Sequence, residues 1–113
     1  MKITKVETVR NRDPIPLPEP WLPAWSAPGG TPATSFGFSF HRVYTDEGIV
    51  GIGPNTGAAP DMLLGIDPFT VGEFWDRHMS GGRPGRSGRR AAGLEIALWD
   101  ILGKATGQPV GRL

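Results

Sequence analysis

The chain has 113 residues, no cysteine, 12 basic against 11 acidic side chains and a formal net charge of +1. That length allows one domain with a modest core. Near-neutrality argues against general affinity for polyanions, and the missing cysteines exclude disulfides and thiolate metal sites. No run approaches the roughly 18 apolar residues of a membrane span, and the start, MKITKVETVR, lacks the apolar core of a signal peptide. We therefore expect a cytoplasmic protein with neither a membrane nor a nucleic acid as partner.

Residues 2–10 predict a strand whose apolar positions are Ile3, Val6 and Val9. Their spacing of three breaks strict alternation, so a bulge or an edge position is expected. Seven of the twenty residues from Asp13 to Pro32 are proline, which forbids a helix and any central strand. That stretch should run as an extended loop, and a loop of this length is more often a lid, a binding loop or a linker than filler. Trp21, Leu22 and Trp25 sit in it. They either fold back onto the domain's own core or face a ligand or second domain. A proline-rich ligand for an aromatic-lined groove is a third reading.

Residues 35–44 read as one strand, with Phe36, Phe38, Phe40 and Tyr44 on one face and Ser35, Gly37, Ser39, His41 and Val43 on the other. Thr45 to Gly48 forms a turn, and residues 49–53 return as the hairpin partner. Three antiparallel strands result, and the row of Phe rings is the expected floor for the helices. His41, on the smaller face, reads as an ordinary sheet-surface histidine. Between Asn55 and Leu64 only a turn or two of helix around Asp61–Leu64 is expected. Asp67 then offers an N-cap and Pro68 a first helical position. Beyond them Val71, Phe74, Trp75, His78 and Met79 share a face, so His78 reads as a packed histidine.

Residues 80–90 form a basic, glycine-rich loop. Ser87 to Val110 then reads as a long helix stopped by Gly107, at a left-handed C-cap position, and by Pro109. At 100° per residue, Ala91, Leu94, Leu98, Ile101, Leu102 and Ala105 make one apolar stripe. Ala92, Ile96, Trp99 and Gly103 make a second, nearly opposite. Asp100 and Lys104, spaced i,i+4, can pair between them. A helix apolar on two faces is buried on two faces, and one small sheet covers only one.

Catalytic constellations are missing from the pattern. Neither histidine stands against a nucleophile in an elbow context. The acids look like turn, cap and helix-surface residues, not metal ligands. Residues 81–88 have no P-loop lysine and no preceding strand.

The order of elements and their wording resemble one family. A start of the form MKIT-x-V, a hairpin F-x-F-x-x-V-x-T-D-E-G-x-x-G-x-G, a G-x-D-P step and the run EIALWDILGKATGQPV are similar to the N-terminal capping domain of the enolase superfamily, in its mandelate racemase and muconate lactonizing enzyme branch. The resemblance covers Lys2–Thr4, Val43–Gly53, Gly65–Pro68 and Ala91–Val110. It implies an α+β fold, a three-stranded antiparallel sheet followed by helices, spanning residues 1–113. It also implies a partner, a (β/α) barrel of the same protein, absent from this chain and expected after Leu113. In that barrel the family binds Mg²⁺ and removes the proton α to a carboxylate of a small-molecule substrate. The parent would be an isomerase or lyase, working as a racemase, cycloisomerase or acid-sugar dehydratase, and a homo-oligomer. No catalytic or metal-binding position carries over onto these residues.

What carries over is a lid role for residues 13–33 and 54–60, with Trp21, Trp25 and Asn55 as candidate substrate-side contacts. The second helix stripe, with Ile96, Trp99 and Gly103, would face the barrel. This chain departs from the family at Pro54, where an acid is usual after G-x-G, and in the shortened helix after the hairpin. Two other readings predict different behaviour. In one, a freestanding module binds RNA or phosphate through Arg83, Arg86, Arg89 and Arg90, and its affinity is salt-dependent. In the other, the proline-rich loop is itself the ligand of a groove.

Overall fold

The computed structural model describes residues 1–80 and 86–113, with the side chains of 79–88 excepted. Arg83 and the side chains of Arg86 and Met79 therefore lie outside the described residues. Three strands form the central sheet: β1 (Ile3–Arg10), β4 (Ser39–Thr45) and β5 (Val50–Pro54), antiparallel in the order β1-β4-β5. The register of β1 against β4 shifts between Ile3 and Lys5, so β1 has both the bulge and the edge position expected of its spacing. Ile3 N–H donates to Ile66 O at 2.9 Å and Gly65 N–H to Ile3 O at 2.9 Å, which ties the first strand to the G-x-D-P step.

The proline-rich stretch departs from the expectation. It contains β2 (Ile15–Trp21), paired antiparallel with β3 (Ala33–Phe36) in a separate two-stranded ribbon. Prolines are tolerated there because both strands are edges, so a missing N–H interrupts no central ladder. The single strand expected over 35–44 is accordingly two, broken at Gly37–Phe38. The ribbon leaves the body of the domain. The radius of gyration is 16.6 Å, with extents of 49 × 34 × 28 Å, against about 13 Å for a compact chain of this length.

After β5 come a 3₁₀ turn (Pro60–Leu63), a second one (Pro68–Thr70), the short helix α1 (Val71–Trp75), a π-helical turn (Asp76–Ser80) and the long helix α2 (Arg86–Thr106). Asp67 caps as expected, its Oδ1 accepting Phe69 N–H at 3.0 Å. His78 is half-buried, its ring 4.7 Å from that of Phe74, while Trp75, expected on the same face, is exposed. Gly107 closes α2 with φ of 65°, the left-handed cap.

The two faces of β4 are the reverse of the expectation. On β4 Phe40 and Tyr44 are only half-buried, Phe36 and Phe38 lie before the strand and are exposed, and the buried face carries His41, Val43 and Thr45. Volume decides this. Gly51 and Gly53 of β5 stand opposite Val43 and His41, and there α2 approaches so closely that a Cβ on Gly53 would run into Gly93 O, the backbone N–H of Ala97 and its methyl group. A row of Phe rings does not fit that gap, so the helix takes the small face. Leu94, Leu98 and Ile101 then fill the core with Val43, Leu63 and Phe74. Burial of large aliphatic side chains at about 1.5–3 kcal/mol each is what holds the layers together.

Candidate functional site

Neither histidine stands beside a carboxylate pair among the described residues: His41 bonds to Thr8 Oγ1 and His78 packs on the Phe74 ring. Among the described residues no three His, Asp or Glu side chains gather where they could hold a metal ion, so those residues do not fit an Mg²⁺. No helix among them is long and apolar enough to cross a membrane. What the fold does build is a pair of projecting segments and an open helix face.

The two segments leave the sheet at the same end. β1 ends there at Arg10, β4 begins there at Ser39, and β5 ends there at Pro54, because Arg10 pairs with Ser39 and Phe40 with Pro54. Antiparallel order puts the ribbon and the 54–60 loop side by side. In the ribbon Trp21 is 57% exposed and Trp25 84% exposed, so neither folds back onto the core. Asn55 is half-buried. Its Oδ1 accepts Gly57 N–H at 3.1 Å and its Nδ2 donates to Ser39 Oγ at 3.0 Å. Thr56 Oγ1 donates to Arg90 O at 2.6 Å and accepts Gly93 N–H at 2.9 Å, which fastens the loop to α2.

His41 lies directly beneath this end of the sheet. It is not the surface histidine expected from its place beside a serine and a glycine; it is 2% exposed. Its Nδ1 shares a 2.9 Å hydrogen bond with Thr8 Oγ1, and Nε2 has no partner. Burial pushes its pKa below the usual 6.5, the nearby Arg10 charge adds to that, and the Asn55 side chain partly opposes it. Burial thus disfavours a second proton on this ring.

On α2 the second apolar stripe is only partly covered. Ile96 is 47% exposed, and with Ile52, Trp99, Val110 and Leu113 it lines an apolar hollow of about 610 Å³. Trp99 keeps its indole N–H on Glu95 Oε1 at 3.0 Å, which leaves the ring's apolar body for the hollow. Gly103 packs within this domain. It is buried under the chain's own C-terminal turn, with Gln108 O and Val110 Cγ2 within 3.3 Å of where a Cβ would stand. Within this domain the close approach to the glycine is made by Gln108 and Val110. Gly93 behaves likewise, facing Pro54 and Thr56.

A further role for α2 was invisible in its spacing. Asp100 Oδ2 accepts Ile52 N–H at 2.8 Å, Lys104 Nζ donates to Val50 O at 2.7 Å, and the two side chains meet at 2.6 Å. The i,i+4 pair thus satisfies the free edge of β5.

Sheet, ribbon and half-covered helix define a small α+β domain with one face left open. The Mandelate racemase / muconate lactonizing enzyme, N-terminal domain matches residues 25–113, and the chain belongs to that family. It is 35% identical over 128 aligned residues to a D-galactonate dehydratase of Pectobacterium atrosepticum, covering all of this chain and 28% of that protein. It is 33% identical to a D-galactonate dehydratase of Cronobacter sakazakii over the same shares. Among solved structures, an L-talarate dehydratase from Polaromonas sp. JS666, complexed with Mg and L-glucarate, superposes with a TM-score of 0.71 at 26% identity, over 98% of this chain and 34% of that one. An enolase from Streptomyces coelicolor gives 0.72 at 28% identity, over 99% and 31%. The chain spans about a third or less of each relative.

Proposed function

We propose that this chain is the capping domain of a longer, Mg²⁺-dependent enzyme that dehydrates acid sugars, acting as the lid over a (β/α) barrel that holds the ion and the reacting groups. The observation that supports it most is the shared exit of the ribbon and the 54–60 loop at one end of the sheet, with Trp21 and Trp25 exposed on the ribbon. Two segments converging on one place suit a mouth to be covered. In this reading Trp21 and Trp25 meet the substrate's carbon chain, while Ile96 and Trp99 pack on the barrel. That burial contributes on the order of 1.5–3 kcal/mol per large side chain. The names of the relatives support an acid sugar as the substrate class, and the lack of cysteine suits a cytoplasmic setting.

The test is turnover by the full-length protein. With Mg²⁺ and a panel of aldonic and aldaric acids including D-galactonate and L-talarate, at least one substrate should lose water to give a keto acid. The 113-residue chain alone, under the same conditions, should give none. Turnover by the isolated chain, or a full-length protein inert towards the whole panel, would overturn the reading.

A further inference from the structure

The neck of the ribbon is stitched by one side chain. Asn11 Oδ1 accepts Phe38 N–H at 2.8 Å, its Nδ2 donates to Asp13 O at 2.6 Å, and its own N–H donates to Phe38 O at 3.3 Å. The outgoing and returning strands of the ribbon are therefore held together where they leave the sheet. The next residue, Ser39, belongs to the other segment as much as to this one. Its carbonyl accepts Asn55 N–H at 3.0 Å, its hydroxyl accepts Asn55 Nδ2 at 3.0 Å, and Asn55 Oδ1 goes on to Gly57 N–H at 3.1 Å. Two runs of hydrogen bonds, joined through the Phe38–Ser39 peptide bond, thus connect Asp13 to Gly57.

We infer that Ser39 is a positioning residue that couples the two projecting segments, through Asn55 on one side and the Phe38–Asn11 clasp on the other, so that ribbon and 54–60 loop shift as one unit. Asn55 then serves the seam: one N–H and one lone pair of its amide are engaged there, and turning the group away would break the connection. This goes a step past the lid reading and rests on it for its effect on catalysis, though not for the coupling itself. Substrate selection by two independent flaps would let each contact be lost singly. A coupled pair closes or opens together, which makes the geometry over the mouth depend on residues that touch no substrate.

The experiment uses the full-length protein, with hydrogen exchange resolved by segment and steady-state kinetics on D-galactonate as probe. Ser39→Ala removes the hydroxyl acceptor and leaves the backbone bonds in place. Exchange should rise about fivefold, the equivalent of one hydrogen bond near 1 kcal/mol, in both 33–37 and 55–58. KM should rise by a similar factor with kcat held, and Ser39→Thr, which restores the hydroxyl, should reverse both. Ser39→Cys, whose thiol is only a weak acceptor, provides the same reading if the alanine variant folds poorly. Faster exchange in only one segment, or in neither, overturns the coupling. Coupled exchange with KM unmoved leaves the coupling standing and removes the lid reading.

Discussion

His41 places a titratable ring where a charge is poorly tolerated. Its folded-state pKa lies below 6.5 because it is buried, with Arg10 adding to the effect, and the unfolded chain titrates near 6.5. A depressed pKa means that the stabilising contribution is complete above the unfolded value and is lost as pH falls through it towards the folded one. Thermal unfolding followed by circular dichroism should accordingly show Tm declining as the pH falls below about 6.5, and His41→Gln should flatten that slope. An unchanged slope in the variant would place the sensitivity elsewhere. The residue type was legible and its environment was not. Alternation assigns His41 to the face opposite the Phe row, but which face becomes the interior is set by Gly51 and Gly53 on a different strand.

At the scale of elements, α2 does two jobs with a narrow polar strip. The Asp100–Lys104 pair is half-exposed, and as a surface ion pair it is worth little. Its hydrogen bonds to Ile52 N–H and Val50 O are worth more, since they close the edge of β5. Asp100→Ala should cost about 1 kcal/mol by urea denaturation and speed exchange of the Ile52 amide. A loss confined to the ion pair, with that amide still protected, would show that the edge is closed by something else. The i,i+4 spacing announced the pair, but nothing local to the helix could announce that a strand edge nearly fifty residues earlier would lie against it. The ribbon makes the converse point. Prolines rule out a central strand correctly, and they do not rule out two edges that need only each other.

For the molecule as a whole, the unpaired feature is the hollow lined by Ile52, Ile96, Trp99, Val110 and Leu113. If a second domain covers it, Ile96→Glu should lower the Tm of the full-length protein, the loss being on the order of the 1.5–3 kcal/mol that burial of one aliphatic side chain supplies. In the isolated chain the same change should leave Tm nearly unaltered and reduce self-association in light scattering, because it breaks an exposed apolar patch. Equal Tm losses in both would mean that the residue matters only within this domain. Two stripes on one helix were readable from 100° steps, and the openness of the second was readable from the smallness of the chain. That Gly103 serves the C-terminal turn was not, since the return of Val110 onto the helix is a tertiary event.

The sequence by itself determined the elements and their caps: the edge strand with its bulge, the hairpin turn, Asp67 and Gly107 as helix boundaries, the two-sided helix, and through the wording of that helix the family. Each of these rests on periodicity or on a backbone requirement that acts over a few residues. Only the tertiary structure decided which face of β4 is the interior, that His41 is buried, that the proline-rich stretch is a ribbon, and that ribbon and 54–60 loop meet at Ser39. Those depend on volumes and hydrogen-bond partners brought together from distant parts of the chain, and no local pattern carries that information.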